Sequence, residues 1–438
     1  MLQSTRFEGL LVKFFLRCPL NEEWIQFSSY ARRVRTLHLE SDILNRPGGS
    51  STAIHLLYMQ TQTLGPYPLP NLRSVHWNID SWDSVPFLRM FLNPGLISVH
   101  IKFPEKVQHL YRLPTISMIP IGDLTHLRLE FMGDDDLSLG VLHNLLDGAS
   151  ETLRSVSLDG ELPMAVIGKL LQLSNLRCLD VHLPRARISP PTVVLPSLEK
   201  LAVRYKEAWS WLHILGNIPN PALRELNVTF TGTSLEYLQM LGSSLADANL
   251  ERTLISLKCI SEKTIPLTEA GIRPLLSFGR LTTLELVARC TEGRCGAKLD
   301  DSIITDLATA LPQLTFLGLG GTPCDAFVSD VTVASLVALS TNCVDLDFLR
   351  LHFSTSDIIN RGTHASSQTR EFTSKLRTLS VGFQYLPSNH SDILLITFTI
   401  LHIFPHVESI TSARGSWDRV MEGIQMFRKA PRIIPLPV

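Results

Sequence analysis

The sequence predicts an α/β fold built from a repeated unit. A pattern of apolar residues, L-x-x-L-x-L, occurs fourteen times in the 438 residues, and successive copies start 22 to 38 residues apart. Segments with the apolar spacing of amphipathic helices separate the copies. These intervals are typical of leucine-rich repeats, in which each unit is a short strand followed by a turn and a helix. We therefore predict an irregular leucine-rich-repeat solenoid (horseshoe), with parallel strands on the concave face and helices on the convex face.

Each strand is predicted from its own copy of the pattern. In the copy LTTLEL, the fourth and sixth residues, Leu284 and Leu286, point to the same side because side chains alternate along a strand. We expect them to face the core, and the third, fifth and seventh residues of each copy to project from the concave face. The copies start at Val34, Leu72, Leu96, Leu124, Leu153, Leu176, Leu198, Leu223, Leu254, Leu281, Leu314, Leu346, Leu376 and Val407.

Helices and turns are predicted between the strands. Prolines two residues before a first leucine, at Pro70, Pro196 and Pro312, are expected to end the preceding helix. The ninth repeat position lacks the usual asparagine or cysteine in every copy, so we expect turns of unequal length. The first interval and the polar stretch from Ser354 to Thr373 are the best candidates for extended loops. Helical spacing runs through residues 138–150, 163–173, 300–311 and 329–340.

The repeat pattern also sets the predicted domain organisation. Residues 1–33 are assigned to N-terminal cap helices, 34–415 to the solenoid, and 416–438 to a C-terminal capping helix and tail. Forty basic against forty-one acidic residues leave no basic excess for nucleic acid. No signal peptide or membrane span is evident, and the seven scattered cysteines are typical of a reducing compartment. We expect an intracellular protein, cytoplasmic or nuclear, with neither nucleic acid nor membrane as a partner.

The segment from Leu20 to Leu39, LNEEWIQFSSYARRVRTLHL, resembles the start of the repeat region in fungal, especially basidiomycete, F-box/leucine-rich-repeat proteins. That family has a W-x-x-F-x-x-Y-A-x-x-V-R-x-L pattern before its first strand. The resemblance implies that the repeats recognise a target protein for a cullin ubiquitin ligase, whose adaptor is recruited by the F-box. The residues before Leu20 contain no L-P-x-E-I-L opening, so we expect no F-box here. The matching residues are Trp24, Phe27, Tyr30, Ala31, Val34, Arg35 and Leu37.

Motifs that carry catalytic or metal chemistry are missing from the sequence. It contains no nucleophile elbow, phosphate-binding loop, H-E-x-x-H helix or dinucleotide-binding turn. Cys290 and Cys295 lack a second pair of zinc ligands. The acidic run Asp134 to Asp136 lacks the spacing of a calcium loop and is expected to form a solvated turn. We predict no catalytic residue, no cofactor and no metal site.

The candidate partner-binding residues are those that the strand pattern places on the concave face. Five histidines and an arginine in the first six repeats are expected to form a cationic patch for an acidic or phosphorylated segment, binding more strongly as pH falls. Two phenylalanines in later repeats, beside glycines, are expected to anchor a partner side chain. The residues are His38, His76, His100, His126, Arg128, His182, Phe316 and Phe348.

Two alternatives to these binding sites stay open. Polar residues on an exposed sheet face need no ligand, and the segment from Ser354 could instead cover the phenylalanines. For the whole chain, the leading hypothesis is a protein-protein interaction module that recognises the substrate of an F-box-like, SCF-type ubiquitin ligase. Its partners would be a protein target on the concave face and the SCF adaptor and cullin. The alternatives are a free-standing scaffold without a ligase and an enzyme with an unrecognised site.

Overall fold

A computed structural model of the chain describes residues 21–39, 58, 67–79, 87–103, 122–130, 139–183, 195–205, 222–231, 237–262, 267–288, 299–320, 330–361, 373–381, 386, 389–412 and 417–429. The chain forms two compact units. Unit 1 comprises Met1–Pro184 and Pro191–Leu198, and unit 2 comprises Arg185–Pro190 and Glu199–Val438.

Unit 1 contains six described strands that pair in parallel with their neighbours in chain order. The strands are β1 (Thr36–Leu39), β2 (Ser74–Asn78), β3 (Ser98–Lys102), β4 (His126–Glu130), β5 (Ser155–Glu161) and β6 (Cys178–His182). Its described α-helices are α1 (Asn21–Ala31), α2 (Leu88–Phe91), α3 (Leu139–Gly148) and α4 (Met164–Leu170).

Unit 2 repeats this arrangement with eight described strands, again paired in parallel and in chain order. The strands are β7 (Lys200–Tyr205), β8 (Glu225–Phe230), β9 (Ser256–Ser261), β10 (Thr283–Ala288), β11 (Phe316–Leu319), β12 (Phe348–Arg350), β13 (Thr378–Val381) and β14 (Ser409–Ser412). Its described α-helices are α5 (Tyr237–Asp247), α6 (Glu269–Ile272), α7 (Asp301–Ala310), α8 (Val333–Asn342), α9 (Ser356–Arg361), α10 (His390–Ile403) and α11 (Asp418–Lys429). Two 3₁₀ helices span Leu250–Arg252 and Arg273–Ser277.

The observed strands follow the leucine pattern closely. Each of the fourteen begins two residues after the start of a copy, at the third repeat position. Leu284 and Leu286, the fourth and sixth residues of one copy, are fully buried. Alternate strand positions are exposed or half-buried, for example in the pattern of β4. The predicted fold class is confirmed, since both units are α/β leucine-rich-repeat solenoids.

The helices cover the face of the sheet that carries the buried leucines. In unit 1 the ring of Trp77, at the sixth position of its repeat, packs edge-on against Phe91 of α2 with ring centroids 5.7 Å apart. In unit 2 Tyr237 of α5 lies 4.3 Å from the ring of Phe230, the residue that ends β8. The four helices predicted from apolar spacing are confirmed as α3, α4, α7 and α8.

Hydrogen bonds outside the strands tie successive turns together. The amides of Arg73 and Ser74 both donate to the carbonyl of Arg35, at 2.8 and 3.0 Å. In both units the carbonyl at the second repeat position accepts such a pair of hydrogen bonds from the next repeat. The residue before a first leucine adds a side-chain bond, as when Asn71 Nδ2 donates to the carbonyl of Arg32 at 2.8 Å. These bonds satisfy backbone groups in the segment that enters each strand.

Several expectations concern residues outside the described ranges. Most of the first interval, between Val34 and Leu72, lies outside the described ranges. The acidic run at residues 134–136 and both Cys290 and Cys295 lie outside them entirely. The stretch from Ser354 begins as predicted loop, but α9 starts at Ser356 and residues 362–372 are outside the described part. The cap and solenoid boundaries stay a prediction. No helix within the described ranges is long and apolar enough to cross a membrane.

Candidate binding surface

The face of each sheet that carries the third, fifth and seventh repeat positions is called the open face here, and it corresponds to the predicted concave face. The strand register places the candidate residues on it. In unit 1 the fifth positions of β1 to β4 form one row, in which His38 pairs with His76, His76 with His100, and His100 with Arg128. The row exists because each copy of the pattern puts a polar residue between two buried leucine-type positions.

The three histidines of this row, His38, His76 and His100, form a continuous column of rings. The centroids of His38 and His76 are 5.4 Å apart, and those of His76 and His100 are 4.1 Å apart. The middle ring is half-buried between its neighbours, whereas His38 is exposed. This histidine column therefore brings three titratable rings together on the open face of unit 1.

Glu130 closes the histidine column at one end. Its Oε1 accepts a hydrogen bond from His100 Nε2 at 3.0 Å and forms an ion pair with Arg128 Nη2 at 2.8 Å. The Glu130 side chain is 17% exposed. Burial alone would raise the pKa of Glu130, but the His100 hydrogen bond and the Arg128 charge outweigh it, so the pKa lies below its ordinary value. Glu130 is therefore a carboxylate at neutral pH.

The middle of the column resists protonation. Burial, followed by the charges of His100 and His38, lowers the pKa of His76 below its ordinary value. With His76 neutral and Glu130 ionised, the row carries less positive charge at neutral pH than five histidines and an arginine suggest.

Two of the predicted histidines lie apart from this row. His126 is exposed at the third position of β4, where its Nδ1 lies 2.7 Å from the Thr125 hydroxyl. His182 lies at the end of β6, opposite Glu161, after a register shift in β5. Gly160, with φ of 126°, provides the left-handed backbone at that shift. Both histidines remain candidate contacts on the open face, outside the column.

In unit 2 the two predicted phenylalanines stack on each other. Phe316 of β11 and Phe348 of β12 are register partners, and their rings are parallel within 3° at a centroid distance of 4.3 Å. Lys258 Nζ lies 5.8 Å from the Phe316 ring, and the guanidinium of Arg350 lies 5.6 Å from the Phe348 ring. Both rings are half-buried. The phenylalanine stack therefore presents aromatic surface with a cation beside each ring.

Glu285 joins the two cations, and it was not among the eight candidate partner-binding residues. Its carboxylate lies 3.3 Å from Arg350 Nη1, two strands away, and 3.6 Å from Lys258 Nζ. Arg350 reaches Glu285 because the intervening fifth position on β11 is Gly318. A Cβ atom at Gly318 would lie 3.4 Å from both Glu285 Cγ and Phe316 Cε1. Gly318 is itself buried beneath these side chains.

The repeat pattern alone is enough to place Glu130 and Glu285 on the open face. Glu130 is at a seventh position and Glu285 at a fifth position, so the pattern alone places both on the open face. Their partners depend on which side chain lies one or two strands away, and only the structure gives that.

No group of three metal-binding side chains occurs among the described residues. Burial raises the pKa of the Cys343 thiol to about 12, so the thiol stays protonated, as is typical of a structural cysteine in the core.

Comparison with known proteins adds a structural likeness. The sequence matches no family of known proteins and no curated protein. A similar fold occurs in a chain of the crystal structure of the Rad7 and Elc1 complex in yeast. The two chains share 12% identity over 89% of this chain and 88% of that chain, with a TM-score of 0.43.

Proposed function

We propose that this chain is a protein-interaction module without catalytic activity, which binds a protein target on the open faces of its repeats. In its fuller form, the proposal makes the chain the substrate-recognition part of an F-box-like, SCF-type ubiquitin ligase, with the SCF adaptor and cullin as further partners. The binding role is supported by the phenylalanine stack, and the ligase role by the resemblance at Leu20 to Leu39.

The phenylalanine stack is the observation that carries the binding role. Phe316 and Phe348 point away from the leucine core, so their half-exposed rings gain only part of the free energy that burial provides. Aromatic residues and arginine are enriched at the centres of protein interfaces, where they are fully desolvated on binding. A partner side chain placed on these rings would complete their burial and exclude water from the Glu285 ion pairs.

The fixed positions of the two stacked rings favour a role in binding a partner. Each ring is fixed by its strand, by its neighbour at 4.3 Å and by a nearby cation. Little side-chain entropy is lost when such preordered groups bind. Glu285 and Arg350 offer paired charges of both signs, which discriminate between partners more than they add affinity.

Affinity capture of the tagged full chain from cells that express it, followed by mass spectrometry, tests this function. We expect one protein recovered in stoichiometric amount, together with the cullin adaptor, and loss of the target with Phe316→Ala/Phe348→Ala. Phe398→Ala, on exposed Phe398 of α10, is the matched control and should retain it. Recovery of a target without adaptor and cullin would leave a free-standing scaffold. Equal recovery by all variants would contradict the role of the stack.

A further inference from the structure

We infer that the open face of unit 1 binds an acidic protein segment, rich in aspartate and glutamate, and that the histidine column takes up protons on binding. This inference deepens the proposed function, on which it rests, by naming the chemistry of a partner. The surface consists of the fifth-position row of β1 to β4 together with the charged residues that flank it.

The charge of this surface favours an anionic partner. On the open face, the described positions of β1 to β4 carry Lys102 and Arg128 against Glu130. Two further arginines, Arg35 and Arg73, are exposed immediately before β1 and β2. In β5 and β6 the same positions hold Arg154 and Arg177 against Asp159 and Asp180, so the excess is confined to the first four strands. A segment with regularly spaced carboxylates complements it.

Glu130 shows which anionic group the row accommodates. Its carboxylate is held by one histidine and one arginine from the row, at 3.0 and 2.8 Å. His38 and His76 occupy equivalent fifth positions without a hydrogen-bonded carboxylate among the described residues. A carboxylate brought by a partner would meet the same imidazole donors at these two positions, with the exposed Arg35 and Arg73 three residues upstream, immediately before the same strands.

Proton uptake follows from the stacking of the rings. The groups facing His76 are His38 and His100 on the adjacent strands, Arg128 and Glu130 beyond them, and uncharged Ser74 and Asn78 on its own strand. Burial and the charges of the neighbouring histidines lower the pKa of His76 in the free protein. A partner carboxylate raises it again, because an opposite charge stabilises the protonated ring. Binding therefore draws protons from solution near neutral pH.

A nucleic acid is a weaker fit to the same charges. Phosphate backbones bind through many lysine and arginine contacts, and the whole chain has a formal net charge of -1. The Glu130 carboxylate lies beside the row, against His100 and Arg128, and repels a continuous line of phosphates. Spaced carboxylates on a peptide can avoid Glu130, whereas regularly charged phosphodiesters cannot.

The test uses the full chain and a fluorescein-labelled octaglutamate peptide. Fluorescence anisotropy should show saturable binding at about pH 6 that is at least about threefold tighter than at about pH 8, because proton-linked binding changes affinity with pH. Calorimetry in buffers of different ionisation enthalpy should show net proton uptake. His76→Gln/His100→Gln, which removes two of the three rings of the column, should sharply reduce both the uptake and the pH dependence. His390→Gln/His406→Gln, on exposed histidines of unit 2, is the control and should preserve them.

Several results would overturn the inference. Affinity independent of pH, uptake unchanged in His76→Gln/His100→Gln, or no saturable binding at about pH 6 would each do so. Tighter binding of an oligouridylate of equal length would assign the surface to nucleic acid instead. Melting curves of both double variants establish that they are folded. Because the capture experiment depends on Phe316 and Phe348 of unit 2, failure here with a target still captured there leaves the proposed function intact.

Discussion

At the residue scale, the Asp301 carboxylate joins two successive helices of unit 2. It accepts hydrogen bonds from the Thr332 amide at 2.7 Å, from the Thr332 hydroxyl at 2.6 Å and from the Ser335 hydroxyl. Burial alone would raise the pKa of Asp301, but these bonds outweigh it and lower the pKa below its ordinary value. Asp301 thus links the start of α7 to the start of α8 while Asp300 caps α7.

Removing this charge should destabilise the protein. Asp301→Asn keeps the shape but weakens three bonds to a carboxylate, so we expect the free energy of unfolding in urea to fall by about 1.5 to 3 kcal/mol at neutral pH. Asp306→Asn, on the exposed side of the same helix, should change it by less than about 0.5 kcal/mol. Equal losses in the two variants would contradict the bridging role.

The pH dependence of this effect has a definite sign. Because the folded state lowers the pKa of Asp301, its contribution is present above the ordinary aspartate pKa and is lost as pH falls through the lower folded value. The difference in stability between the parent chain and Asp301→Asn should therefore shrink in acid. A difference that grows on acidification would show that another group controls the effect.

Single side chains also mark the limit of prediction from sequence. Positions such as His76 and Phe348 could be placed on the open face because strand alternation is local. The role of Glu285 could not, because its contact with Arg350 crosses an intervening strand and requires Gly318 between them. The lowered pKa of His76 likewise depends on rings supplied by β1 and β3.

At the element scale, Gly242 permits the close approach of two helical segments. It is buried in α5, and a Cβ atom there would lie 2.6 Å from the ring carbon Pro274 Cβ in the following 3₁₀ helix. The proline ring cannot turn away, so the contact requires a backbone shift. Gly168 in α4 is the matched case without a neighbour, since nothing lies within 4 Å of its Cβ position.

The two glycines should respond to alanine in opposite directions. Gly242→Ala should lower the free energy of unfolding by about 1 to 2 kcal/mol, because overpacking outweighs the gain in helix propensity. Gly168→Ala should raise it by about 0.5 to 1 kcal/mol, because only the propensity gain applies. Urea unfolding measures both changes. Stabilisation by Gly242→Ala would mean that α5 and the 3₁₀ helix do not pack as described.

Elements were predictable where the controlling residues are close in sequence. The start of β11 follows from Leu314, Leu317 and Leu319, and the end of α7 from Pro312. The short helix α9 within the polar stretch after Ser354 was missed, because that stretch lacks the apolar repeat of an amphipathic helix. Its buried Ile358 is a single apolar contact, too little to predict a helix.

At the scale of the whole molecule, we assign recognition to the open faces and stability to the leucine core and helices. Unit 1 presents a basic row with a histidine column, and unit 2 an aromatic stack with paired charges. The repeat number followed from the sequence because each repeat carries its own signal. The division into two compact units did not, because no single repeat carries a signal for it.

The most direct test of this division of roles is site-specific photocrosslinking in cells. Benzoylphenylalanine in place of Phe348 puts the crosslinker on the open face. The same residue in place of Phe398, an exposed side chain of α10, puts it on the helical layer. The account predicts a covalent adduct with one protein from position 348 and none with that protein from position 398. An adduct only from position 398, or equal adducts from both, would contradict recognition by the open face.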